Sequence, residues 1–181
     1  MTKDFQIILF LPIMSIPWPQ RPIEKGQPFP MEYVLWHKQL LKFFSNKKDC
    51  HFIWKGMLMA NQKFDLAQKI INDNKFDNIE YQRNKFTDWF GKVDKIIFDT
   101  PSTAFFESIF SNIPSLALYR PKDQNLRSNA YSEFRNSLKP YSNINEGIEI
   151  VSNFINESPE NYLPKIKISK KSVLDIVFQN K

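Results

Sequence analysis

Cysteine is almost missing from this chain of 181 residues. Cys50 stands alone, so no intrachain disulfide and no cysteine-based metal site can form. Histidine is nearly as scarce. His37 and His51 are too few to hold a metal by themselves, and neither has a carboxylate or serine at useful spacing, so no triad is assigned. Glycine numbers only four, which leaves few places where bare backbone can approach a ligand closely. Long apolar runs are lacking too. The stretch from Phe5 to Met14 is broken by Gln6 and Pro12 and is too short to cross a bilayer. Lys3-Asp4, with no small-residue cleavage site after the run, argues against a signal peptide, and a cytoplasmic location is the expectation. The basic residues are scattered singly, without a zinc knuckle or a Gly-aromatic signature, so nucleic acid is not an expected partner.

What is present is a core. Hydrophobic residues make up 42% and aromatics 15%, seventeen of them Phe, which excludes a disordered chain. The net charge of +6, from 25 basic and 19 acidic residues, suits either nucleotide phosphates or an acidic membrane surface. It equally suits a surface merely solvated by lysine. Short apolar runs at Phe5–Leu11, Cys50–Trp54, Asn78–Gln82, Lys95–Phe98 and Ser115–Tyr119 read as strands. Helical spacing covers Met31–Phe44, Phe64–Asn74, Ser102–Asn112, Arg127–Leu138 and Glu146–Asn156, with a brief helix opening at Thr87. This alternation predicts an α/β fold: one Rossmann-like, three-layer domain with a mainly parallel sheet. The domain is expected over residues 1–158, with a proline-studded loop at 12–30 that holds Trp18. A basic extension with a short terminal helix is expected over 159–181.

The richest stretch runs from Lys95 to Arg120. Lys95–Phe98 has the β-branched, apolar character of a strand buried on both faces. Asp99-Thr100-Pro101-Ser102-Thr103 closes it and opens a helix, with Thr100 as N-cap and Pro101 as the first helical residue. Ser102 and Thr103 then lie at the positive helix end, where amides and hydroxyls can hold a phosphate, or simply cap the helix. Glu107, one turn beyond Thr103, can accept hydrogen bonds from sugar or ribose hydroxyls, or be a solvated helix residue. Asp99 reads as a strand-end residue that orients the turn. Arg120 and Lys55, each at a strand end, are either ligands for an anion or surface cations.

Asp99 through Thr103, with Glu107, Pro114 and Arg120, resembles the C-terminal nucleotide-binding half of GT-B-type glycosyltransferases. The relatives include surface-polysaccharide transferases, glycerophosphotransferases of teichoic acid assembly and nucleotide-sugar 2-epimerases. The pattern is an apolar strand, Asp, a small Ser/Thr cluster, a helix bearing Glu, a turn with Pro, and a second apolar strand. The likeness implies that Ser102 and Thr103, with Thr100 beside them, hold the donor diphosphate, and that Glu107 binds donor hydroxyls. It further implies that Arg83 to Phe86 face the nucleobase, and that Arg120 and Lys55 add charge near the phosphates. The expected partner is a nucleotide-activated sugar donor, with no metal and no cofactor called for. Only one half of such an enzyme fits in this length. An acceptor-domain polypeptide and peripheral attachment at the inner membrane face are therefore further expectations, within surface-polysaccharide or glycoconjugate synthesis. The alternative is a non-catalytic nucleotide-binding or scaffold module of the same fold. No catalytic residue is assigned.

Overall fold

Successive residues along each strand face opposite sides of the sheet. In a computed structural model, which describes residues 5–12, 30–56, 65–122 and 134–163, the sheet has six strands in the order β3-β2-β1-β4-β5-β6. They are β1 Gln6–Leu11, β2 Cys50–Lys55, β3 Ile79–Gln82, β4 Lys95–Phe98, β5 Ser115–Tyr119 and β6 Leu138–Pro140. Every pairing is parallel, so the sheet needs cover on both faces. Successive residues supply it. Ile8, Phe10, Phe52, Trp54, Ile97, Leu116 and Leu118 point to one face, and Leu9, Ile53, Ile96, Phe98 and Ala117 to the other.

Helices α1 (Pro30–Asn46), α2 (Leu66–Asn74) and α4 (Ile144–Asn156) cover the first face. Helix α3 (Thr103–Phe110), a 3-10 turn at Phe86–Trp89 and Phe134 cover the second. Each completely buried Ile, Leu or Phe contributes about 1.5–3 kcal/mol. Local chemistry sets the helix ends. Asp65 caps α2 by accepting from the Ala67 amide at 2.9 Å, and Lys75 closes it in the left-handed region at φ 48°. Asn143 accepts from the Glu146 amide at 3.1 Å while Glu146 accepts from the Ser142 amide at 2.7 Å, a reciprocal start for α4.

One expectation needs correction here. Leu138 does not end a helix; a turn follows Phe134, and Leu138 begins β6, a strand the sequence reading lacked. Its pairing with β5 buries Leu138 against Phe134 and Ala117, a tertiary gain that outweighs local helical spacing. Lys95 is buried with the rest of β4, as the strand reading expects. It is 1% exposed, and its Nζ donates to the carbonyls of Phe154 at 2.9 Å, Ile155 at 2.8 Å and Glu157 at 2.8 Å. The ammonium thereby satisfies carbonyls at the C-terminal end of α4 that no helical amide can reach. Past that end, the 3-10 turn Pro159–Tyr162 packs Tyr162 edge-on to Phe154 at 4.5 Å, inside the core. Most of the expected 12–30 loop, including Trp18, lies outside the described residues, as does the tail from 164 onward.

Candidate functional site at the carboxyl edge of the sheet

Ligands of open parallel sheets sit outside the carboxyl ends of the strands, where the strand order reverses. Here that point falls between β1 and β4, which are neighbours although their onward connections leave in opposite directions. The chain leaves β4 at Phe98, passes buried Asp99 and Thr100, and enters α3 at Thr103. Ser102 is the N-cap, extended at φ −140° and ψ 171°. The expected cap at Thr100, with Pro101 as first helical residue, is therefore two positions early. The physical reason lies beneath. The Tyr33 hydroxyl donates to Asp99 Oδ2 in a short bond, and His37 Nε2 lies 3.5 Å from the same oxygen. Asp99 is held beneath α1, and with Asp99 and Thr100 only 7% and 6% exposed, the helix begins after both.

The start of α3 has no cap from its own N-cap side chain. The Ser102 side chain caps none of the first-turn amides, and the Ser102 carbonyl accepts from Phe105 and Phe106 at 3.0 and 3.4 Å. Ser102 is half-buried, whereas Thr103 and Glu107 are exposed on successive turns of the same helix. Arg120 follows β5, the strand next to β4, so it stands on the same edge. Its Nη1 is 2.6 Å from Glu32 Oε2, and Lys122 Nζ is 3.8 Å from Glu32 Oε1. The bond from Arg120 holds the Glu32 carboxyl below the usual carboxylate range.

The other candidates gather on the far side of β1. Lys55 ends β2, is buried, and donates to the Gly56 carbonyl at 3.0 Å; burial pushes its ammonium below the ordinary lysine range. Arg83, just after β3, lies over the Tyr81 ring at 5.6 Å. Its Nε donates to Tyr81 Oη at 3.3 Å and its Nη2 to Gln68 Oε1 at 3.2 Å. Tyr81 in turn donates to Asp65 Oδ2 at 2.6 Å, and burial, reinforced by that bond, pushes its phenol up to about 12. The edge thus carries Thr100, Ser102, Thr103 and Arg120 on one flank of β1, and Lys55 and Arg83 on the other.

Both histidines also have carboxylate neighbours that spacing did not reveal. Besides His37 with Asp99, His51 Nε2 lies 3.4 Å from Glu80 Oε2 on the adjacent strand, an exposed pair. Glu32, Tyr33 and His37 were not legible as site residues. The available signal was Tyr33 and His37 four apart on α1, aligned on one face. Hollows of about 470 and 670 Å³ open elsewhere, beside β6 and α4 and at the amino ends of β1 and β2, away from these groups. Among the described residues no cluster of His, Cys, Asp and Glu could hold a metal, and no helix is long and apolar enough to cross a membrane.

Comparison of the fold decides its class. MnaA of S. aureus, solved with UDP, superposes with a TM-score of 0.52 and 16% identity over 91% of this chain. The fold of the chain is similar to one half of the GT-B fold. Sucrose-phosphate synthase from Thermosynechococcus elongatus gives 0.55 at 8% identity over 91% of the chain. Trehalose 6-phosphate synthase from Burkholderia multivorans gives 0.53 at 10% over 87%. The chain spans only 40%, 39% and 36% of those proteins, respectively. No protein-family model matches the chain, and neither does any curated protein.

Proposed function

We propose that this chain is the donor-binding half of a nucleotide-sugar-dependent glycosyltransferase. It would serve surface-polysaccharide or glycoconjugate synthesis at the cytoplasmic side of the membrane, with a second half or partner polypeptide supplying the acceptor site. One observation carries the reading: the start of α3, with Ser102 and Thr103 and no cap from Ser102, lies at the switch point of a half-GT-B sheet, on the edge that also carries Arg120. A helix start of this kind offers amides and a positive dipole to a diphosphate. That one of the similar structures holds UDP supports the same ligand class.

In this reading Ser102 and Thr103 hold the diphosphate, with Thr100 shaping their turn. Glu107 accepts hydrogen bonds from ribose or sugar hydroxyls, and Arg83 flanks the base. The acceptor oxygen bonds to the activated sugar carbon as the carbon–oxygen bond to the diphosphate breaks. The electron pair stays with the leaving group, whose charge the helix start, Arg120 and Lys55 offset, and the proton of the acceptor hydroxyl passes to a base supplied by the acceptor half. Calorimetry with UDP-, GDP- and CMP-sugars tests this. We expect binding of one donor, weakened about tenfold or more in Ser102→Ala/Glu107→Ala. Absence of binding to every nucleotide refutes it.

A second reading, a nucleotide-binding or scaffold module without turnover, is favoured by one fact. Arg120 and Lys55 are both engaged within the protein, on Glu32 and the Gly56 carbonyl. Donor binding that never leads to transfer, even with the acceptor half added, would select it.

A further inference from the structure

Arg120 already holds an anion. Its guanidinium lies 2.6 Å from Glu32, and Lys122 lies 3.8 Å from the other carboxylate oxygen. The partners are unequally held. The Arg120 side chain is 12% exposed and that of Glu32 is 44%, so the cation is fixed in the protein while the anion sits half in solvent. Glu32 belongs to the first turn of α1, and Arg120 to the end of β5. The next residue, Tyr33, donates to Asp99 at the end of β4. The first turn of α1 is therefore fastened to both strand ends from which the α3 start and Arg120 project.

Resting on the donor-binding reading, we propose that Glu32 is a built-in stand-in for the ligand phosphate: its carboxylate occupies Arg120 and Lys122 in the free protein and yields to the diphosphate on binding. Carboxylate and phosphate offer a guanidinium the same kind of charged oxygen acceptor, so one can replace the other without rearranging Arg120. The diphosphate has the advantage in the exchange, since it carries more charge and also meets the amides at the start of α3, three strands further along the chain from Glu32 but on the same edge. Holding the cation closed lowers the apparent affinity by the fraction of molecules in which the pair is made. It also keeps a partly buried guanidinium paired when no ligand is bound, and frees the first turn of α1 from β5 when one arrives.

The test is calorimetric titration of the full chain with UDP, GDP and CMP, and with the matching nucleosides. Wild type, Glu32→Gln, Arg120→Gln and the double variant are compared, each checked for folding by thermal melting. Glu32→Gln is expected to bind the cognate nucleotide roughly fivefold more tightly, the scale of one exposed ion pair. Arg120→Gln should bind more weakly, and in the double variant the Glu32→Gln gain should vanish. The nucleoside, which has no phosphate, should show no gain. Equal or weaker nucleotide binding by Glu32→Gln, or an equal gain for the nucleoside, overturns the proposal while the donor reading stands. No nucleotide binding by wild type or Glu32→Gln overturns both.

Discussion

Replacing Lys95 by Met keeps a long, flexible side chain in the core and deletes only the ammonium. The change strands three carbonyls, those of Phe154, Ile155 and Glu157, that now accept at 2.8–2.9 Å. Each buried acceptor left without a donor costs about 1–3 kcal/mol. Against this, Met avoids the desolvation that already pushes the Lys95 ammonium below its ordinary range. The acceptors outnumber the single relieved charge, so the net expectation is a loss of about 3–4 kcal/mol, or about 6–16 °C in Tm for a chain of this size. Chemical denaturation followed by circular dichroism measures the loss. Amide exchange should show it first at the last turn of α4, whose carbonyls lose their donor. A change below about 1 kcal/mol, or a gain of the kind seen when apolar groups replace buried charges, would refute the capping role.

Gly56→Ala should destabilise by about 2–3 kcal/mol, because a Cβ there overlaps the Tyr81 hydroxyl and displaces it from Asp65; thermal melting reports it. Gly147→Ala places a Cβ 2.9 Å from the Trp36 ring, which stacks on Tyr141, so a loss of about 1–3 kcal/mol should come with altered tryptophan fluorescence. Tyr33→Phe removes the hydroxyl that donates to buried Asp99 and should cost about 1.5–3 kcal/mol in a urea titration. At alkaline pH, burial raises the Cys50 thiol from 9.0 to about 11, so its contribution is complete below pH 9 and is lost as pH rises through about 11. Melting curves across that window should fall less steeply in Cys50→Ser than in wild type.

The parallel sheet was legible because Ile-Ile-Leu-Phe-Leu, Lys-Ile-Ile-Phe and Ser-Leu-Ala-Leu-Tyr lack the alternation of a half-solvated strand. β6 was not legible: Leu138-Lys139-Pro140 is too short to show a period, and only its pairing with β5 makes it a strand. The β4–α3–β5 unit was placed correctly, but its helix start was read two residues early. The hydroxyl that holds Asp99 just before that start belongs to Tyr33, 66 residues away. Arg120 and Lys55 were placed at strand ends from sequence, yet their partners Glu32 and the Gly56 carbonyl appear only in three dimensions. Lys95 shows the same limit: a lysine at the head of an apolar run gives no sign that a helix terminus fifty-odd residues later will claim it.

The two outermost strands are both stunted, β3 with four residues and β6 with three, and β6 closes on Pro140. A proline has no N–H to lend to a newcomer, and the exposed Glu80 on β3 carries a charge at the opposite margin. Among the described residues, lateral recruitment of another chain into the sheet is thus discouraged at both sides.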